Sequence, residues 1–144
     1  MAEIIDTIDV LGDDAVIDSI INRTITEFND DSVPKIGQYS FYGCNELTSL
    51  SLSNCTTIDM YGVSYCDKLS NVDLPKVTRI EGYFLGNCPL ITTVELPSLK
   101  TSGMGAWAEL NPPKTHIVLP SLRSLNNFSL TGLQRLKYFD CGAT

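Results

Sequence analysis

The sequence predicts a β-rich α/β repeat solenoid of about five coils of 22–23 residues, with parallel strands on one face and short helical turns on the other. Three observations predict it. Residues 36–101 write one pattern three times, so that Ile36, Ile58 and Ile80 stand 22 apart, as do Cys44, Cys66 and Cys88, and Leu52, Leu74 and Leu96. Apolar and polar residues alternate around Leu50-x-Leu52, Val72-x-Leu74 and Val94-x-Leu96, the period of a strand with one buried face. The chain has 144 residues, 43% of them hydrophobic, enough for one continuous core. A 22-residue unit cannot bury its apolar side alone, so successive units must stack.

In chain order, residues 1–12 alternate around Ile8 and Val10 as a strand, and Gly12-Asp13-Asp14 reads as a turn. Asp13 or Asp14 can cap a short helix over 15–22 whose apolar side is Val16, Ile17, Ile20 and Ile21. This strand–helix cap leads into a degenerate half-repeat, where Ile25, Phe28 and Val33 precede Leu47, Leu50 and Cys55 by 22 residues. Asp30 takes the place of Leu52, the polar exterior expected of a terminal repeat. The division is therefore an acidic cap and half-repeat over 1–35 and a repeat body over 36–144, in copies 36–57, 58–79, 80–101, 102–124 and 125–144. The fourth copy carries one extra residue and Asn111-Pro112-Pro113 at a corner, and the fifth stops just after its strand.

Within a copy, Phe41 and Cys44 are three apart, which suggests a helical or 3₁₀ turn packing inward. The segment Leu47-x-x-Leu50-x-Leu52-x-x-Cys55 fits the leucine-rich repeat signature L-x-x-L-x-L-x-x-N/C-x-L. The fuller pattern I-G-x-Y-x-F-x-x-C-x-x-L-x-x-L-x-L, best at 36–57, resembles the BspA-type leucine-rich repeat, and the resemblance spans roughly 22–144. It implies a β-lined solenoid used for adhesion or protein contact, without catalysis, as in surface proteins of bacteria and protists and in structural proteins of phages of gut bacteria. The usual Ala-Phe pair is Ser40-Phe41 here and drifts to Gly62-Val63 and Phe84-Leu85.

The net charge of −7 sits at one end. Residues 1–35 hold nine carboxylates against Arg23 and Lys35, and the body from 36 onward is balanced. An acidic end on a neutral body argues against nucleic acid and anionic membranes, which require a basic stripe. No apolar run approaches the roughly 20 residues of a membrane span. The first residues, MAEIIDTIDVLGDD, lack a basic n-region, so Sec export is not expected. Asn22, Asn54 and Asn127 open glycosylation sequons that read as chance matches in that context.

The five cysteines fall in apolar columns. Cys44, Cys66 and Cys88 share one column with Leu110 and Leu133, Cys55 joins Val33 and Val77, and Cys141 joins Leu52 and Leu74. With an odd count and no C-x-x-C pair, they read as buried free thiols, neither disulfides nor zinc ligands. His116, the single histidine, takes an outward strand position, and no G-x-S-x-G elbow or papain-like segment accompanies it. The stretch SGMGAW (102–107) lacks a phosphate-cradle spacing and reads as a corner. No catalytic residue, metal or cofactor is expected.

Two surfaces remain as candidates. The outward strand positions Asn71, Asp73, Thr93, Glu95, His116, Tyr138 and Asp140 form a polar, mildly acidic face, either a binding surface or a solvated sheet. Asp73 and Glu95 fall on adjacent coils, too little for glycosidase chemistry. The second surface is an aromatic ladder, Tyr39, Tyr61 and Tyr83, interrupted at Gly105 and resumed at Phe128. Its rings either stack between coils as packing, the preferred reading, or form a contact stripe. An uncapped C-terminal strand edge, or the acidic N-terminal segment, offers a route to homo-oligomers. The expectation is a non-catalytic module contacting protein or glycan, foremost a structural or host-contact component of a virion. A bacterial surface adhesin and a small acidic intracellular (cytoplasmic) inhibitor or adaptor are the alternatives.

Overall fold

The computed structural model describes residues 20, 23–91, 93–103, 105–106, 116–125 and 138–140. They form a parallel β-solenoid. Each coil contributes two strands. The longer ones are β1 (Glu27–Asn29), β3 (Ser49–Ser51), β5 (Asn71–Asp73), β7 (Thr93–Glu95), β9 (His116–Val118) and β11 (Tyr138–Asp140). Between them run the two-residue strands β2 (Lys35–Ile36), β4 (Thr57–Ile58), β6 (Arg79–Ile80), β8 (Thr101–Ser102) and β10 (Ser124–Leu125). The half-repeat thus supplies a regular strand, β1, whose Phe28 pairs with Leu50.

Every pairing is parallel and follows the sequence period. Phe28, Leu50 and Val72 are in register, as are Ile36, Ile58 and Ile80. The inward columns make one core, in which Phe28, Leu50, Leu52, Leu74, Val94, Leu96, Ile117 and Leu119 are buried. Hydroxyls reinforce the stack on the same period. Thr48 Oγ1 donates to the Thr26 carbonyl, Ser70 Oγ to Thr48, Thr56 Oγ1 to Pro34 and Thr78 Oγ1 to Thr56. A fixed 22-residue spacing therefore satisfies side chains and backbone together.

Among the described residues, turns stand where helical turns were expected in the copies 36–57, 58–79 and 80–101; the corresponding segments of the last two copies lie outside the described residues. The stretch 38–43 is a chain of turns whose N–H groups alternate in direction: Ser40 and Tyr42 donate locally to Gly37 and Tyr39, whereas Phe41 donates to the Gly62 carbonyl and Gly43 to Ser64 in the next coil. Tyr61, Tyr65 and Tyr83 donate likewise to Gly82, Gly86 and Gly105. A helix needs those donors within its own segment and needs φ near −60° throughout. Here Tyr39, Tyr61 and Tyr83 have φ of 61°, 56° and 61°, so the chain cannot continue as a helix through them. Of the N-terminal strand–helix cap, Ile20 alone is described, a helical residue buried in the core. The rest of the cap lies outside the described residues.

The two-residue strands form one continuous sheet in the order β10-β8-β6-β4-β2. The longer strands do not. They form β1-β3-β5 and β11-β9-β7, with no ladder joining β5 to β7. Val72, the central residue of β5, is only half-buried, whereas Leu50 and Val94 at the same position of their coils are buried.

Candidate functional site

The outward strand face is built by alternation. In β5 and β7 the outer residues Asn71, Asp73, Thr93 and Glu95 are all exposed, and His116 is exposed on β9. Ladder pairing aligns Ser49 with Asn71, Ser51 with Asp73, Thr93 with His116 and Glu95 with Val118. Tyr138 and Asp140 hold the backbone register of His116 and Val118. The expected face therefore exists as two blocks. Asn71 and Asp73 lie on one side of the break, and Thr93, Glu95 and His116 lie on the other.

The tyrosine ladder is denser than its sequence period suggests. Tyr39 and Tyr61 stack with centroids 5.1 Å apart and planes within 8°, and Tyr61 and Tyr83 stack at 4.3 Å and 4°. Tyr42 packs edge-on against both Tyr39 and Tyr61, at 5.4 and 5.8 Å, and leans on Tyr65 at 4.9 Å. Column reading overlooked Tyr42 and Tyr65 because they are not 22 residues apart; the clue was their placement three and four residues after a ladder tyrosine. Tyr39 is 40% exposed and the other four are half-buried. Both faces of Tyr61 are occupied, by Tyr39 on one side and Tyr83 on the other. Phe128 lies outside the described residues.

A third surface escaped sequence reading. Two outward residues of the two-residue strands are charged and each pairs with an acid at the end of a neighbouring or its own strand, Lys35 Nζ 2.9 Å from Asp59 and Arg79 Nη2 2.5 Å from Glu81. A two-residue alternation, such as Arg79-Ile80, is too short to announce a strand.

Behind these surfaces lie the thiols. Cys44, Cys55, Cys66 and Cys88 are free and buried; Cys141 lies outside the described residues. Burial raises the Cys44 thiol, opposed by the neighbouring Arg23 guanidinium, and pushes Cys55 up to about 11. A hydrogen bond with Cys88, followed by burial, pushes Cys66 far up. Cys66 Sγ also donates to the Phe41 carbonyl at 3.1 Å. These are protonated packing groups, the opposite of an activated nucleophile. Among the described residues no cluster of His, Cys, Asp and Glu could hold a metal ion, and no helix is long and apolar enough to cross a membrane.

The model of the BspA type leucine-rich repeat region matches residues 17–137 in six copies. The chain belongs to that family. The match takes in the longer strands β1, β3, β5, β7 and β9, including the strand of the half-repeat, and ends just before β11. No curated protein and no solved structure matches the chain. A BspA-type leucine-rich repeat solenoid is a protein-interaction fold, typically non-catalytic. Among the described residues its corners are turns, and the two-residue strands form a second ladder.

Proposed function

We propose that this BspA-type repeat chain is a non-catalytic interaction module that binds protein, most concretely as a structural or host-contact component of a phage particle. The observation that supports binding is the pair of surfaces, the exposed strand face in its two blocks and the tyrosine stack, carried on one repeat solenoid. Stacked tyrosines offer large area at little rotamer entropy, which favours contact with a protein surface. A sugar ring needs a free aromatic face; Tyr61 has none to offer and only Tyr39, at the end of the stack, is largely exposed, so the reading prefers protein to glycan. The virion assignment draws on the occurrence of such repeats in phage structural proteins.

The test is an antibody raised against the purified chain, used on density-purified particles, envelope and cytosol from the source culture. Signal that co-purifies with particles supports the virion reading. Signal confined to the envelope would replace it with an adhesin, and signal confined to cytosol with an intracellular inhibitor or adaptor.

A further inference from the structure

Five tyrosines meet at one corner of the solenoid, and two of their contacts differ in kind from the rest. Tyr61 and Tyr83 lie face to face, 4.3 Å between centroids and 4° between planes, and Tyr39 and Tyr61 follow at 5.1 Å and 8°. Tyr42 meets Tyr39 and Tyr61 edge-on and lies tilted against Tyr65. The planes of Tyr61 and Tyr83 can stand no farther apart than their centroids, so facing ring carbons are near van der Waals contact. Backbone bonds hold the pair in place: Tyr61 N–H donates to Gly82 and Tyr83 N–H to Gly105, while Ile58 pairs with Ile80 in the adjoining strands. The stack is reachable from solvent, since Tyr39 is 40% exposed and Tyr61 and Tyr83 are half-buried.

A phenol that loses one electron and one proton becomes a phenoxyl radical, with its unpaired electron shared by the ring carbons ortho to oxygen. Two such radicals join at those carbons. Side chains already held in contact react as one unit, without the cost of finding each other. We propose that Tyr61 and Tyr83 form an oxidative cross-linking site, at which a one-electron oxidant joins the copies 58–79 and 80–101 through a dityrosine bond. One carbon–carbon bond forms between the ortho positions, and the hydrogen on each joined carbon moves to its phenol oxygen, so both phenols are restored. The two electrons and two protons released pass to hydrogen peroxide at a haem peroxidase, which leaves as two waters. The bond closes a loop between residues 22 apart and restricts the unfolded chain as a disulfide does. Cys44, Cys55, Cys66 and Cys88 supply no such tie, because they are free. The site does not depend on which partner the module binds.

The experiment treats the full chain with a haem peroxidase and hydrogen peroxide, reads dityrosine fluorescence, and maps the bond by mass spectrometry after trypsin. Cleavage after Lys68 and Arg79 separates the two residues, with Tyr61 in 36–68 and Tyr83 in 80–100. The expected result is a monomeric product whose principal cross-link is those two peptides joined with the loss of two hydrogens. Its urea midpoint should lie above that of the untreated chain. Tyr61→Phe keeps the ring and removes the phenol, so it should abolish the joined species. Tyr42→Phe removes an edge-on phenol and should leave it in place. Urea unfolding of both untreated variants confirms that each is folded before oxidation. Absence of dityrosine, cross-links confined to those between chains, or a joined species that survives Tyr61→Phe would overturn the proposal.

Discussion

Tyr61 and Tyr83 stack with ring centroids 4.3 Å apart and planes within 4° while both residues hold a left-handed backbone, φ 56° and 61°. The two facts are coupled. A bulky side chain in that region costs about 1–2 kcal/mol, because Cβ crowds the following carbonyl. The corner is held there by Tyr61 N–H donating to Gly82 and Tyr83 N–H donating to Gly105. Ring stacking offsets the strain, at about 0.5–1.5 kcal/mol per pair beyond buried area.

This coupling reverses an ordinary ranking. Tyr61→Ala removes two stacks and keeps the strained φ, so it should lower stability by about 2–3 kcal/mol. Tyr61→Gly removes the same stacks and relieves the strain, so it should be more stable than the alanine variant by about 1 kcal/mol. Urea unfolding of the two variants decides it. Alanine above glycine would mean that the corner relaxes to negative φ once the ring is gone.

The buried thiols predict a loss of stability in alkali. Cys55 titrates at about 11 in the fold against 9.0 when free, with burial as the main cause. The folded state therefore holds its proton more tightly than the unfolded state. The resulting stabilisation is full below pH 9 and is lost as pH rises towards 11, with a slope of up to about 1.4 kcal/mol per pH unit. Cys66 and Cys44 are shifted in the same direction and steepen the fall. Cys55→Val copies Val33 and Val77 from the same column, so it should match the parent at pH 7 to within about 1.5 kcal/mol. Above pH 9 it should fall less steeply. Parallel curves from pH 8 to 11 would show that Cys55 is not the group responsible.

Gly62 is required by packing, not by backbone conformation. A Cβ there would lie 2.9 Å from the Asp59 carbonyl oxygen, 2.9 Å from Ile58 Cγ2 and 3.0 Å from Ile36 Cγ2. Gly62→Ala should cost about 1–3 kcal/mol through overpacking. Gly43 makes the opposite case, with φ at +70° and nothing within 4 Å of its added Cβ. Gly43→Asn, a residue that tolerates the left-handed region, should therefore cost less than Gly62→Ala in thermal unfolding.

What the sequence made legible was whatever repeats at 22. The inward columns through Leu50 and Ile58, and the burial of Cys44, Cys66 and Cys88, follow from spacing alone, because a stacked coil must place equivalent residues in equivalent environments. The corners were misread as helical because Phe41 and Cys44, three apart, look the same in a helix and in a tight turn. The difference lies in where the N–H groups go, and Phe41 sends its own to Gly62 in the next coil. The break in the strand face was invisible for a related reason. Val72 and Val94 are chemically identical column mates, and nothing local tells that their strands do not pair. Charge on the second sheet was hidden by the brevity of strands such as Lys35–Ile36.

Ser102 marks the place where the second sheet departs from its own rule. The column Ile36, Ile58, Ile80 continues into Ser102, which is 2% exposed and has an Oγ without a hydrogen-bond partner among the described residues. Burying a hydroxyl unpaired costs about 1–3 kcal/mol. Beside it lies an opening of about 240 Å³, bounded by Arg79, Thr101, Gly103 and Ser124, with space for added methyl groups. Ser102→Val should therefore raise stability by about 1 kcal/mol or more, by removing the hydroxyl and restoring a β-branched apolar residue to the column. Urea denaturation should show a higher midpoint with an unchanged m-value. A lower midpoint for the valine variant, together with a neutral Ser102→Thr, would show that solvent in the opening already satisfies the hydroxyl and that the serine belongs where it is.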